Sequence, residues 1–304
     1  MIRISDVTKR YGSAVAVDHL SFDVRPGEVT GFLGPNGAGK STTMRMIVGL
    51  DAPTSGSVTI DGRPYGDLRF PLRHVGALLD AKAVHPARSA RDHLRWLADS
   101  NGIARRRVEE VLQLVGLTDV ADRRTGGFSL GMEQRLGIAT ALLGDPATLL
   151  LDEPVNGLDP EGIQWIRQLL RTLAAEGRSI LVSSHLMSEM AQTADRLIVV
   201  GRGRLITEGT VDDVVHQSAS GHVRVDSAEP TRLRQLLDDI GATTTPEADG
   251  TFVVTGLDAR SIGTLAGDAH ITLYELSSHS ASLEEAFFEL TRDATEYTTR
   301  GAAA

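Results

Sequence analysis

An eight-residue run, residues 34–41, constrains this chain more than any other part of its sequence. It reads GPNGAGKS and stands between an apolar segment, residues 29–33, that is typical of a strand and a segment, residues 42–48, that is typical of a helix. Its glycines allow successive backbone N–H groups to turn inward and form a concave anion site, and the helix N-terminus adds partial positive charge. The run therefore predicts a phosphate-binding loop in an α/β nucleotide-binding fold.

Two side chains of this loop carry the predicted chemistry. Lys40 is one of only three lysines among the 31 basic residues, so a compact ammonium stands where the chain otherwise uses arginine. We expect Lys40 to reach the β- and γ-phosphates of ATP and the Ser41 hydroxyl to ligate Mg²⁺. The predicted ATP-binding residues of this segment are Gly34, Pro35, Asn36, Gly37, Ala38, Gly39, Lys40, Ser41 and Thr42.

Two acidic residues, Asp152 and Glu153, follow the apolar segment of residues 149–151. Such a segment is typical of a buried strand, and ligands of open α/β sheets bind beyond the carboxyl ends of the strands. We expect Asp152 to orient Mg²⁺, directly or through its water shell, and Glu153 to act as the general base toward an attacking water. No acceptor site for another substrate is visible in the sequence, which favours hydrolysis of ATP over transfer of its phosphoryl group.

The composition excludes several classes of function. The chain has no cysteine, which excludes disulfides, thiolate metal sites and a cysteine nucleophile. Its net charge of -9 argues against nucleic acid as the main partner, because phosphate binding usually requires a basic excess. No run of about eighteen apolar residues occurs, so a membrane role is expected to come through a partner. The histidines show no metal-ligand spacing, and His85, His93, His216 and His222 are predicted to lie at the surface.

A second glycine-containing segment, residues 128–135, reads FSLGMEQR and resembles the signature motif of the ABC-type ATPases. Its Ser129 lies 23 residues before the first acid of the carboxylate pair, a spacing that is typical of that family. Residues 156–159 resemble the D-loop of the family, and His185 resembles its switch histidine. Tyr11 stands where the family places an aromatic ring that stacks on adenine.

The resemblance extends over about residues 1–210 and implies a P-loop NTPase fold of the α/β class. The implied architecture has a mixed central sheet, an N-terminal antiparallel β-subdomain and a helical subdomain at about residues 85–145. We expect the ATP-binding domain to span residues 1–215. Residues 216–304 are predicted to form a small C-terminal α+β accessory domain with three strands and three helices, the last of which begins with a capping box at Ser282.

The resemblance also implies an active site that two copies of the chain share in a homodimer. Ser129 and Gly131 of one copy would bind the γ-phosphate of the ATP that Lys40 of the other copy holds. His185 would contact the γ-phosphate and sense its loss, so that Glu153, His185 and Lys40 form the implied catalytic set. Asp159 would connect the two sites across the dimer.

By resemblance, the chain is the ATP-hydrolysing subunit of an ABC transporter that works with a separate integral membrane permease. The ending at residues 282–290 is similar to that of ATPases that export drugs, peptides or lipophilic compounds. The implied location is peripheral, at the cytoplasmic face of the cell membrane, and the implied cofactors are ATP and Mg²⁺. The permease is expected to dock near Asp80 and residues 88–143.

The sequence departs from the family pattern at three positions. Leu130 replaces a glycine of the signature motif, and Met132 replaces a glutamine. Asp80 stands where the family usually has the glutamine of its Q-loop, so it is predicted either to help order Mg²⁺ and couple the two copies or to be an ordinary loop acid. Tyr11 also has an alternative role as a packing residue.

A second hypothesis is a soluble ABC ATPase that acts in translation or repair without a transporter. Such proteins commonly carry two cassettes in one chain or a long coiled-coil insertion, and this chain has one cassette and no sustained heptads. A P-loop kinase or GTPase would leave the signature segment unexplained. The C-terminal domain could brace a dimer, dock a partner, restrain hydrolysis or stabilise the fold, and the sequence leaves these four roles open.

Overall fold

The computed structural model describes residues 1–216, 221–279 and 282–292, and it divides into two units, Met1–Thr210 and Val211–Arg292. The strands of the first unit are β1 (Ile2–Tyr11), β2 (Ala14–Val24), β3 (Val29–Leu33), β4 (Ser55–Ile60), β5 (Val75–Leu78), β6 (Thr148–Asp152), β7 (Ser179–Ser183), β8 (Arg196–Gly201) and β9 (Arg204–Thr210). Its helices are α1 (Lys40–Ile47), α2 (Ala90–Ser100), α3 (Arg106–Leu114), α4 (Leu130–Leu142), α5 (Pro160–Ala175) and α6 (Met187–Thr193). No helix in the described ranges is long and apolar enough to cross a membrane.

The apolar segments of the sequence become neighbouring strands of one six-stranded sheet, in the order β5-β6-β7-β3-β8-β9. The strands pair in parallel from β5 to β8, and β9 pairs antiparallel to β8. Strands β3 and β7 are completely buried, which explains why their sequences do not alternate apolar with polar residues. Because parallel strands all point the same way, the segments that follow β3, β6 and β7 meet at one edge of this sheet.

A second, three-stranded antiparallel sheet has the order β2-β1-β4. Its strands alternate, with Ile2 and Ile4 buried and Arg3 exposed between them. The rings of Phe22 on β2 and Phe32 on β3 lie 5.3 Å apart, so one apolar core joins the two sheets. The mixed sheet, the antiparallel sheet and the phosphate-binding loop confirm the predicted P-loop NTPase fold.

Helices α2, α3 and α4 lie between β5 and β6 in the chain, in the region whose pattern predicts helices. The sequence predicts a single apolar stripe on α4, containing Leu136 and Ala139. In the structure α4 is buried more widely, since Gln134, Ile138 and Ala141 are buried as well. The helix is therefore enclosed by its neighbours, and its one buried amide side chain requires a hydrogen-bond partner.

The second unit contains α7 (Val211–His216), β10 (His222–Ser227), α8 (Pro230–Asp239), β11 (Thr243–Pro246), β12 (Phe252–Thr255), α9 (Ala259–Asp268), β13 (Leu273–His279) and α10 (Leu283–Thr291). From β10 to β13 these elements form a βαββαβ unit whose antiparallel sheet has the order β11-β12-β10-β13, which is a ferredoxin-like topology. The sequence does not predict β11, because its threonines and Pro246 show no apolar alternation. The capping box of α10, between Ser282 and Glu285, is confirmed.

Candidate functional site

The phosphate-binding loop connects β3 to α1. Steric contacts explain why two of its positions are glycine. A Cβ on Gly34 would lie 2.5 Å from the carbonyl oxygen of Val200. Gly39 has φ 94°, and its Cβ would lie 2.5 Å from the carbonyl oxygen of Ala16. Only glycine fits at these two positions without moving the backbone. The loop is thereby fixed at the N-terminus of α1, where helix N–H groups attract anions.

Lys40 is the first residue of α1 and folds back over the loop. Its Nζ donates to the carbonyl oxygens of Gly34, at 2.5 Å, and Pro35, at 3.2 Å. Burial lowers the pKa of Lys40, and the charges of Glu153 and Asp152 oppose that shift. A partly buried ammonium between two carboxylates and a phosphate-binding loop can neutralise an incoming phosphate group.

Asp152, at the end of β6, lies against the loop through Ser41. The Ser41 hydroxyl donates to Asp152 Oδ2 at 2.9 Å, and the Ser183 hydroxyl at the end of β7 donates to Oδ1. Hydroxyl and carboxylate oxygens are the protein ligands that Mg²⁺ prefers. The donor set that the sequence predicts for magnesium, Ser41 and Asp152, is therefore brought together with the right chemistry.

Glu153 follows Asp152 in a left-handed conformation, with φ 52°. A non-glycine residue adopts this conformation at a cost of about 1–2 kcal/mol. Three hydrogen bonds from two residues hold it there. Its N–H donates to the Ser183 carbonyl at 3.2 Å and hydroxyl at 3.0 Å, and its C=O accepts from Gln134 Nε2 at 3.0 Å. The sequence patterns predicted no role for Ser183 or Gln134.

The Glu153 side chain is turned toward His185. Its Oε2 lies 2.7 Å from His185 Nδ1 and accepts from the His185 backbone N–H at 3.3 Å. The imidazole is largely exposed, whereas the carboxylate is mostly covered. The predicted base and the predicted switch histidine are thus direct neighbours, and the exposed side of the imidazole is accessible to a ligand.

The signature segment is placed at the start of α4, with Ser129 as the N-cap. The Ser129 hydroxyl accepts from the backbone N–H of Met132 at 3.3 Å, and Ser129 itself is exposed. A Cβ on Gly131 would lie 2.9 Å from the carbonyl oxygen of Gly157. Within the part of the chain that the structure describes, no hydrogen bond joins Ser129 to the phosphate-binding loop.

Leu130, which stands where the family has glycine, packs on the turn before α5. Gly157 in that turn has φ 76°, and the side chain of Leu130 fills the space that a Cβ on Gly157 would need. Leu130 also remains 48% exposed, so one side of it packs inside the chain and the other faces outward. The signature segment and the D-loop-like turn are therefore in direct contact within one copy.

Asp159, the predicted dimer-coupling residue, is the N-cap of α5. Its Oδ1 accepts from the Gly162 N–H at 2.9 Å, and Pro160 follows at the first helical position. An acid followed by proline is the sequence signal for this capping role, which was not among the roles predicted for Asp159. This hydrogen bond lies within one copy of the chain, so the role of Asp159 in coupling two copies stays a prediction.

Tyr11 ends β1 beside the start of α1. Its ring is 49% exposed, with Lys9 Nζ 4.8 Å from the ring centroid, and its hydroxyl donates to Asp51 at 3.0 Å. Burial, followed by the Asp51 carboxylate, raises the pKa of Tyr11, and a hydrogen bond with Thr42 acts in the opposite direction. A half-exposed ring tied to the first turn of α1 is in a position where it could stack on a base.

A cavity of about 580 Å³ lies beside the carboxylate pair. Ser41, Asp152, Asp80 and His93 contribute to its wall, and most of the remaining wall is apolar. Asp80 Oδ1 accepts from the Lys82 N–H at 2.8 Å, so the carboxylate is held in its own turn. Asp80 therefore lines the same cavity as the proposed magnesium ligands. Its hydrogen bond is to its own turn and not to those ligands.

The prediction that His93 lies at the surface is wrong. His93 is 9% exposed, and its Nδ1 is buried without a hydrogen-bond partner in the described structure. It shares one face of α2 with Ala90, Leu94 and Ala98, at helical spacing, so the helix places it toward the interior. Burial, reinforced by the charge of Arg88, lowers the pKa of His93 to about 4.

This shift predicts how stability depends on pH. Below its usual pKa of 6.5 the histidine is protonated in the unfolded chain but stays neutral in the folded one, so stability falls as the pH falls from 6.5 to about 4. At pH 5 the loss from this residue is about 2 kcal/mol. The substitution His93→Leu is expected to reduce the difference in unfolding free energy between pH 7 and pH 5 by about that amount.

The measurement is urea unfolding at both pH values, followed by tryptophan fluorescence. Both tryptophans of the chain, Trp96 and Trp165, lie in the first unit, so the signal reports that unit. The exposed His74 provides the matched control, since His74→Leu should leave the difference as it is in the unchanged chain. Equal pH dependence for His93→Leu and the unchanged chain would contradict this account.

Known proteins match this chain over both of its units. The family model ABC transporter matches residues 17–156, and a domain of unknown function (DUF8746) matches residues 221–284. The uncharacterized ABC transporter ATP-binding protein YhcH of Bacillus subtilis is 36% identical over 301 residues, 97% of each chain. The bacitracin transport ATP-binding protein BcrA of Bacillus licheniformis is 44% identical over 68% of this chain and 69% of its own. The lantibiotic transport ATP-binding protein SrtF of Streptococcus pyogenes is 37% identical over 70% of this chain and 92% of its own.

Solved structures with the same fold cover about 70% of the chain. The ATP-binding subunit of an ABC transporter superposes with a TM-score of 0.66 at 29% identity, over 71% of this chain and 92% of its own. The ATP-binding cassette MJ0796, solved as a dimer in a post-hydrolysis state with ADP and Pi, superposes with a TM-score of 0.64 at 27% identity, over 69% of this chain and 98% of its own. With a full-length relative at 36% identity and a shared cassette fold, the chain belongs to the ABC transporter family, as an ATP-binding subunit.

Proposed function

We propose that this subunit hydrolyses ATP with Mg²⁺ and thereby drives a separate integral membrane permease that exports peptides, drugs or other lipophilic compounds. The observation that carries the proposal is the arrangement at the edge of the six-stranded sheet. There the Ser41 hydroxyl lies 2.9 Å from Asp152, and the Glu153 carboxylate lies 2.7 Å from His185. Magnesium ligands, a base and a polar switch residue thus converge beside the phosphate-binding loop.

In this proposal each side chain has one task. Lys40 leaves the loop carbonyls and neutralises the β- and γ-phosphates, while Ser41 and Asp152 hold Mg²⁺. Glu153 accepts the proton of the attacking water, and His185 contacts the γ-phosphate from its exposed side. Tyr11 stacks on the adenine. When bound, magnesium would neutralise charge on the phosphate oxygens.

The active site is proposed to be completed by a second copy of the chain. Ser129 caps α4 and is exposed, so it can meet an anion that is held by another molecule. The cassette MJ0796, which has the same fold, is dimeric in a post-hydrolysis state with ADP and Pi, and this supports a dimer of the present chain. Asp159 and Asp80 are the residues proposed to couple the copies.

Transport is supported by the relatives that are named for bacitracin and lantibiotic transport. Export is supported by a relative from Burkholderia orbicola that is named Nod factor export ATP-binding protein I. These names do not support the alternative, a factor acting in translation or repair. We place the subunit at the cytoplasmic face of the membrane, held by its permease, with nucleic acid not expected as a partner. The cavity beside Asp80 is the proposed docking place.

Isolation of the tagged chain from solubilised native membranes, with ATP and Mg²⁺ present, tests the transport function. We expect a membrane protein with several spanning helices to be recovered in a fixed ratio to the chain. Asp80→Arg should lower that recovery several-fold, because it places the opposite charge in the docking cavity. The control Asp239→Arg, on the exposed end of α8, should not. Recovery of ribosomal proteins in place of a membrane protein would overturn the transport function in favour of the translation factor.

A further inference from the structure

The catalytic base proposed above depends on a backbone conformation that it would not adopt on its own. Glu153 has φ 52°, and the direction of its side chain follows from that conformation. Rotation about the N–Cα bond of Glu153 would move its carbonyl group and its side chain together, and would turn the carboxylate away from His185. The hydrogen bonds on both sides of this residue therefore determine where the base points.

One of those hydrogen bonds comes from another part of the chain. Gln134 is 4% exposed, and its Nε2 donates to the carbonyl oxygen of Glu153 at 3.0 Å. It lies on α4 among buried apolar residues, where an amide without a partner would be costly. On the opposite side of Glu153, the N–H group is held by Ser183.

Gln134 lies on the same helix, α4, as the signature segment. The helix begins at the cap residue Ser129, about 7.5 Å away along the axis. Because Ser129 and Gln134 lie on one helix, a shift of its N-terminus would also shift Gln134. The same element therefore carries a residue that faces a second copy and a residue that holds the base of its own copy.

We propose that Gln134 is a positioning residue for Glu153, and that α4 uses it to set the direction of the base. The inference rests on the proposed function, in which Glu153 is the general base. Gln134 does not touch ATP or the attacking water in this scheme. It fixes the carbonyl of Glu153, so that the carboxylate is aimed correctly when α4 is in place.

The first test is Gln134→Met, which keeps the length of the side chain and removes the donor. We expect kcat of the purified full-length chain to fall about tenfold, as for the loss of one buried hydrogen bond in the transition state. KM for ATP should stay near that of the unchanged chain, and the melting temperature should fall by only a few degrees, because one buried carbonyl group loses its partner. Gln113→Met, on the exposed side of α3, is the control and should change none of the three. An unchanged kcat in Gln134→Met would overturn the inference.

A double substitution separates positioning from general damage to the fold. If Gln134 acts only through the base, adding Gln134→Met to Glu153→Gln should not lower the residual hydrolysis further. A further tenfold loss in that background would assign Gln134 a merely structural role. Full turnover by Glu153→Gln would refute the assignment of Glu153 as the general base. A normal kcat in Gln134→Met alone would refute only the positioning role of Gln134.

Gln134→Glu tests the same bond when the methionine variant does not fold. A neutral carboxyl group can still donate its O–H to the Glu153 carbonyl, whereas an ionised carboxylate cannot. We expect kcat of this variant, divided by that of the unchanged chain, to fall as the pH rises through the ionisation of the new carboxyl. A ratio independent of pH between 5 and 9 would overturn the inference.

Discussion

Glu153→Gln is expected to lower the rate of ATP hydrolysis by about 10²–10⁴-fold while ATP stays bound. The substitution keeps the size of the side chain and its contact with His185 but removes its ability to accept a proton. The bonds that hold Asp152 and Lys40 are not altered, so the phosphate and magnesium sites remain. With ATP bound and not consumed, the closed dimer should accumulate.

Single-turnover hydrolysis, together with size-exclusion chromatography in the presence of ATP and Mg²⁺, measures both effects. The matched control is Glu110→Gln on α3, an exposed glutamate whose ion pairs with arginines lie at the surface. It should hydrolyse ATP at the normal rate and should not accumulate as a dimer. A Glu153→Gln protein that runs as a monomer at normal turnover would show that another group is the base.

Mixing two inactive variants of the chain is expected to restore ATP hydrolysis. Lys40→Ala breaks the phosphate-binding loop, and Ser129→Arg blocks the signature segment. In a shared-site dimer of the two variants, both defects fall in one site, and the other site is intact. For random pairing of sites that turn over independently, the mixture should recover about a quarter of normal activity from two nearly inactive proteins.

The control for this experiment is a mixture of Lys40→Ala with Glu153→Gln. Both residues lie at the same sheet edge of one copy, so each site of a mixed dimer keeps one defect, and activity should not return. If the phosphate loop and signature segment of a single copy formed the site, neither mixture would recover. That outcome would refute the shared site without affecting the family assignment.

The parts of this site that follow strands were predictable from the sequence. The loop before Lys40 and the pair Asp152 and Glu153 each follow an apolar segment, and parallel strands bring such ends together. The signature segment was identified by resemblance, and the structure then placed Ser129 at a helix cap. Such features are predictable because they depend on residues that are adjacent in the sequence.

The parts that depend on contacts between distant segments were not predictable in the same way. Ser183 and Gln134 reach Glu153 from 30 and 19 positions away, and nothing in their own neighbourhoods indicates the contact. His93 looked like a surface residue, although its spacing from Leu94 and Ala98 on α2 points inward. That helical spacing was the signal that could have placed His93 in the interior.

The packing of Leu130 on Gly157 also determines how this protein can change its sequence. No side chain can be added at position 157 while Leu130 fills the space, and the positive φ there disfavours one independently. Reshaping either segment thus requires a compensating change in the other. In evolution, and in chimeras built from this subunit and its relatives, the two segments therefore have to be exchanged together.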